Sequence, residues 1–241
     1  MAATDRALLI AVIVGGLTGL GLTGAGALVG RGLEMARTGD RAVTVRGLSE
    51  REVKADLAVL PLRFTATGDE LSAAQAKIDA DTAVVRRFLQ GQGYAPAEIT
   101  IGRFNVTDRA AEQYSSQNYT TRFIVSQTVT VRTNTVERAQ ATTRRLNELV
   151  RQGVVLQDYS PAFIFTKLNT VRPAMIKEAT ASARTGAVQF ARDSGSELGP
   201  IKSATQGSFE ILARDESGEE GEAASLWKKV RVVTTVSYQL R

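Results

Sequence analysis

A chain of 241 residues with 43% hydrophobic content is long enough to bury a sizeable core, as one large domain or two small ones. Its 30 lysines and arginines against 25 acids give a formal charge of +5, but acids lie between the bases throughout, and the lack of a sustained basic block argues against nucleic acid as a partner. With no histidine and no cysteine, the chain excludes Ser/His and Cys/His nucleophiles, Cys/His zinc sites, thiol redox chemistry and imidazole switching.

Residues 7–30, ALLIAVIVGGLTGLGLTGAGALVG, run for 24 positions without a charge between Arg6 and Arg31. As a helix they would reach about 36 Å against a hydrocarbon core of about 30 Å, so residues 1–31 are expected to form an N-terminal transmembrane anchor. A cleaved signal peptide is the competing reading, because Ala25-Gly26-Ala27 has A-x-A cleavage spacing. Against it, the run exceeds an ordinary signal h-region and only Arg6 precedes it. A buried core helix is the third reading. Gly15/Gly19 and Gly26/Gly30 are small-xxx-small pairs that would let two such helices pack closely. Arg31, Arg37 and Arg41 follow the span, so the positive-inside count alone puts the remaining chain in the cytoplasm.

A polar linker, 32–40, leads into what reads as a single domain, 41–241. Val43 and Val45 open a strand that Gly47 interrupts, and REVKADLAVLPLRFTAT continues it. There the apolar set moves from odd positions (Val53, Ala55, Leu57, Val59) to even ones (Leu60, Leu62, Phe64, Ala66), which predicts a bulge or burial on both faces. Residues 67–93 predict a helix: Thr67 and Glu70 have capping-box spacing, Leu71, Ala74, Ile78, Val85 and Phe88 form one stripe, and Gly91 and Gly93 can end it. EITIGRFNVTD is the next strand, followed by a polar loop and a strand whose odd positions Tyr119, Phe123, Val125, Val129 and Val131 face a core.

A second helix is expected over 135–153, with Val136, Ala139, Thr143, Leu146 and Val150 inward, then the strand VVLQDYSPAFIF. A third, from about Thr170 to Ser194, would bury Ile176, Ala179, Ala183, Ala187 and Phe190. Strands IKSATQGSFEILA and LWKKVRVVTTVSYQL finish the chain, around an acidic surface loop, 214–225, whose carboxylates lack EF-hand spacing. The order β-β-α-β-β-α-β-α-β-β predicts an α+β fold, a mainly antiparallel sheet with helices packed on one face.

VTVRGLSEREVKADLAVL resembles the opening signature of the SIMPL-domain family, with Ala55 where many members carry proline. NYTTRFIVSQTVTVRTNTVERAQATTRRLNELVRQGV resembles the family's central strand and helix, EATASARTGAVQFARDSGSELGPIKSATQGS its alanine-spaced helix, and VRVVTTVSYQL its last strand. The resemblance implies a bacterial periplasmic or envelope-associated protein. Some members are anchored, some form ring-like or channel-like homo-oligomers, and the family is linked to envelope or oxidative stress without an established reaction. It supplies no catalytic, cofactor or metal residues. It also favours a single-pass inner-membrane protein with its C-terminal domain in the periplasm, against the charge count.

Arg46, Glu50, Arg51, Glu52 and Lys54 would charge a sheet edge, either protecting it or forming an interface between copies of the chain. Tyr114 and Tyr119 make the polar loop a candidate contact surface. Arg138, Arg144, Arg145 and Arg151 are diluted by Glu137 and Glu148 and read as a solvated helix face. The carboxylate pairs Glu50/Glu52 and Asp79/Asp81, or a Ser/Lys arrangement, leave enzymatic chemistry as a minor reading, since no G-x-S-x-G elbow occurs. The expectation is a non-enzymatic, membrane-anchored envelope protein acting through self-association, without cofactor or metal. A periplasmic ligand-binding module is the alternative.

Overall fold

The phase change, between Val59 and Leu60, falls inside one continuous strand, 57–68, that keeps unbroken register with 123–133; Leu57, Ala58 and Leu60 are all buried, so it marks burial on both faces and not a bulge. β1 (Ala42–Lys54) and β2 (Leu57–Gly68) are separated by Ala55 and Asp56. Their amides donate to the carbonyls of Leu226 and Ile164, each at 3.0 Å, instead of continuing a ladder. Gly47 lies inside β1 without interrupting it.

The computed structural model describes residues 15–19, 21–30, 41–111, 120–215 and 221–241. After β2 come α1 (Leu71–Gly91), β3 (Ile99–Asp108), β4 (Phe123–Thr133), α2 (Val136–Thr143) and α3 (Asn147–Arg151). Then follow β5 (Val155–Asp158), β6 (Ala162–Ile164), α4 (Leu168–Asp193), β7 (Leu198–Gln206), β8 (Glu210–Ala213) and β9 (Trp227–Leu240). The fold is α+β with antiparallel pairing, but the strands form two sheets where the sequence reading expects one.

The chain divides into two compact units, the described residues of Met1–Ser49, Ile176–Ser208 and Val232–Arg241, and those of Glu50–Met175 and Phe209–Arg231. In the first, β9 runs between β1 and β7, with Ala204 opposite Val236 and Gln206 opposite Thr234. Its core joins Val43, Val236 and Tyr238 to Ala183 and Ala187 of α4. The buried positions of α4 fall on Met175, Ala179, Ala183, Ala187 and Ala191, so the expected Ile176 and Phe190 are displaced, and Phe190 is half-exposed.

In the second unit the strand order is β3-β4-β2-β5, with β6 also on β2. Leu60, Leu62 and Phe64 of β2 and Val125, Val129 and Val131 of β4 turn to one face, where Ala74, Ile78, Val85, Phe88 and Leu89 of α1 cover them. Leu71 is exposed, and Glu70 caps α1 without a side-chain bond, so no capping box forms. The expected second helix breaks at residues 144–146 into α2 and α3, which turns Thr142 and Leu149 inward in place of Thr143 and Val150. VVLQDYSPAFIF splits into β5 and β6 because Asp158 accepts from the amide and hydroxyl of Ser160, folding a local turn ahead of Pro161.

Residues 15–19 and 21–30 are helical and exposed. Among the described residues no helix is long and apolar enough to cross a membrane. The rest of the expected anchor and the linker, 1–14, 20 and 31–40, lie outside the described residues.

Candidate functional site

Among the described residues β1 pairs with β9 alone, which places Arg46, Glu50, Arg51, Glu52 and Lys54 on an outer strand of that sheet. Arg46, Glu50 and Glu52 are exposed, Arg51 and Lys54 half-buried. Lys54 forms an ion pair with Glu137, whose carboxyl is held below the usual range by that lysine. Lys54 also lies 5.8 Å from the Trp227 ring, with Arg214 at 5.7 Å from the same ring. Arg214 in turn holds Asp215 at 2.8 Å, and Glu50 lies 3.6 Å from Arg231. Glu50, Lys54 and Arg214 therefore already have partners within the chain, which suits edge protection.

The strand EITIGRFNVTD, ordinary in sequence, becomes β3, the edge of the other sheet. Ile101, Phe104 and Val106 are 51%, 47% and 41% exposed. Opposite them on β4 stand Val129, Gln127 and Val125, so all three lie on the face that α1 covers over β2 and β4. Register slips between Ile101 and Phe104, and the buried Gln127 amide fills the irregularity, donating to the carbonyls of Gly102 and Arg103 at 3.1 and 3.2 Å. The signal available in the sequence was an apolar strand whose only charges are Arg103 and Asp108.

A cleft of about 800 Å³ is lined by Gln140 of α2 and Arg144 just beyond its end, Tyr159 and Phe163 around the β5–β6 turn, and Ala223 and Ala224. Amides, hydroxyls, one cation, one phenol and the Asp158 carboxylate line it, a set able to hydrogen-bond a polar small molecule. No motif in the sequence pointed to it, because its walls come from three distant segments.

The remaining candidates separate. Asp79 is exposed whereas Asp81 is buried beside Lys77, so the two do not form a carboxylate pair. Arg138 donates to the carbonyl of Gly93 at 2.7 Å and lies 5.6 Å from the Tyr94 ring, and Arg145 holds Glu148 at 2.8 Å. These arginines tie loops together. Gly15, Gly19, Gly26 and Gly30 are helical with open space around them. Tyr114 and Tyr119 lie outside the described residues, as do Glu216, Glu219 and Glu220. Among the described residues no group of three acids is placed to hold a metal ion.

A family model described as SIMPL, protein of unknown function (DUF541), matches residues 43–238. The chain belongs to the SIMPL family. The match starts in β1 and ends in β9, so it draws on both compact units. No curated protein matches the chain.

Within this SIMPL chain the segment KADLAVL has a structural role. Asp56 accepts from the amide and the hydroxyl of Thr166, each at 2.6 Å, and so fixes the approach to α4. Burial pushes the Asp56 carboxyl up, but the Thr166 hydroxyl and amide, together with Lys167, outweigh it and hold the group below the ordinary aspartate range.

Proposed function

We propose that this SIMPL protein is a membrane-anchored, non-enzymatic envelope protein that acts through self-association, its domain in the periplasm of a bacterial inner membrane, in tolerance of envelope or oxidative stress. The observation that carries the reading is the pair of open sheets, each ending on a strand of ten or more residues, β3 and β1. Open edges are templates for pairing with another chain. The 24 uncharged residues of 7–30 support the anchor, and the lack of histidine and cysteine supports a role without the commonest catalytic groups.

An amine-reactive cross-linker that does not cross the inner membrane, applied to intact cells, tests both halves together. The reading expects multiples of 25.8 kDa in the membrane fraction. A monomer band alone, or no modification until the cells are lysed, contradicts it.

The second reading, a periplasmic ligand-binding module, rests on the cleft beside Arg144 and Tyr159. A thermal-shift screen of small polar and anionic compounds against the wild type and Arg144→Ala separates the two. A shift that Arg144→Ala removes favours the module.

A further inference from the structure

Several strands stand at the edges of the two sheets, and most carry features that discourage pairing. β1 bears Arg46, Glu50, Arg51, Glu52 and Lys54. β7 contains Pro200 and shifts register against β9 on both sides of Ile201. β5, β6 and β8 have four, three and four residues. β3 differs: it has ten residues, no proline and no lysine, and among the described residues β4 is its one neighbour. Its irregularity is confined to residues 101–104, and from Phe104 to Asp108 it runs in unbroken register with Gln127 to Phe123. This regular stretch and the residues leading into it carry the exposed row Ile101, Phe104 and Val106.

We infer that β3 is the docking strand of a homodimer: two copies pair their β3 edges antiparallel about a twofold axis at Asn105, extending each five-stranded sheet into its partner's. The inference rests on the self-association proposed above and names its surface. An open β edge is completed by another extended strand, and a second copy brings the same uncovered edge, so one contact covers both.

The strand is self-complementary in this alignment. Phe104 of each copy stands opposite Val106 of the other, two aromatic to β-branched pairs across the ladder. Arg103 faces Thr107, and Asp108, which Arg122 of its own chain holds at 2.9 Å, faces Gly102. The positive first half of one strand thus runs beside the negative second half of the other. A parallel in-register alignment would instead set Arg103 against Arg103 and Asp108 against Asp108, and like charges directly opposed are destabilising.

The absence of cysteine makes the geometry directly testable. In the 241-residue chain in detergent, Asn105→Cys places two thiols at the twofold, where opposed Cα atoms lie about 4.5–5.5 Å apart, within disulfide reach. Under mild oxidation a covalent dimer of twice 25.8 kDa is expected, whereas Thr185→Cys, on an exposed position of α4, should give little. Adding Val106→Lys, or separately Phe104→Ser, should lower the dimer yield roughly tenfold without altering the melting curve, because both side chains are half-exposed. Equal cross-linking at positions 105 and 185, or a yield indifferent to both substitutions, overturns the docking strand. A multimeric wild type whose Asn105→Cys variant does not cross-link overturns it while leaving self-association intact, and a monomeric wild type overturns both.

Discussion

A Cβ atom added at Gly47 would lie 1.9 Å from the carbonyl oxygen of Ala179 and 2.4 Å from the amide of Ala183. The backbone of α4 is therefore seated directly on β1. The alanines at 179, 183 and 187 are the helix's half of the same contact, small enough to let the helix axis approach the sheet.

Gly47→Ala should consequently destabilise the protein by about 3 kcal/mol, since the obstructing atoms are backbone and cannot rotate away. Gly186→Ala, on the same helix with open space around it, should instead stabilise by up to about 1 kcal/mol through helix propensity. Urea denaturation of the two variants checks the contrast. Similar effects at both positions would contradict the close seating.

Asp56→Asn removes the charge that accepts both Thr166 donors and should cost about 1–2 kcal/mol at neutral pH. The folded carboxyl titrates below its unfolded value, so its contribution is complete above the ordinary aspartate range and is lost as pH falls through the folded value. Stability measured from pH 7 into the acid range should fall less steeply in Asp56→Asn than in the wild type.

Gln127 is buried and supplies donors to two carbonyls of β3 at its irregular step. Gln127→Leu keeps the volume and removes the donors, leaving Gly102 and Arg103 without that partner, at an expected cost of about 1–3 kcal/mol. Hydrogen exchange should show faster opening of β3 than of β2, where the ladder is unaltered.

Lys228 on β9 is only 1% exposed, and its ammonium donates to the carbonyl of Glu222. Burial holds its pKa below the ordinary lysine range, with the Glu222 charge opposing that shift. The unfolded chain keeps the proton to higher pH than the folded one, so stability should rise with pH between the folded and unfolded values. Lys228→Met should flatten that rise and add about 1 kcal/mol at neutral pH. A wild-type profile that is flat or falling in this window would refute the assignment.

The course of the chain was legible where one strong pattern decided it. α1 follows from Ala74, Ile78, Val85 and Phe88, and β2 from Leu60, Leu62, Phe64 and Ala66, because large apolar residues at a fixed period have one face to bury. In α4 the candidate stripe is mostly alanine, so a turn of one residue costs little locally. Contact with β1 and β9 selects Ala183 and Ala187 for the interior and leaves Phe190 outside. Gly47 reads as a strand breaker because nothing local distinguishes that from a glycine required by a helix more than a hundred residues away. The exposed row on β3 is illegible for a similar reason: a strand's own sequence does not give its place in the sheet order.

The most direct test of self-association is the mass of the 241-residue chain in detergent, by native mass spectrometry across a range of salt. A discrete multiple of 25.8 kDa that survives rising salt is expected, since an apolar edge pairing depends little on ionic strength. A single species at 25.8 kDa under all conditions would contradict it.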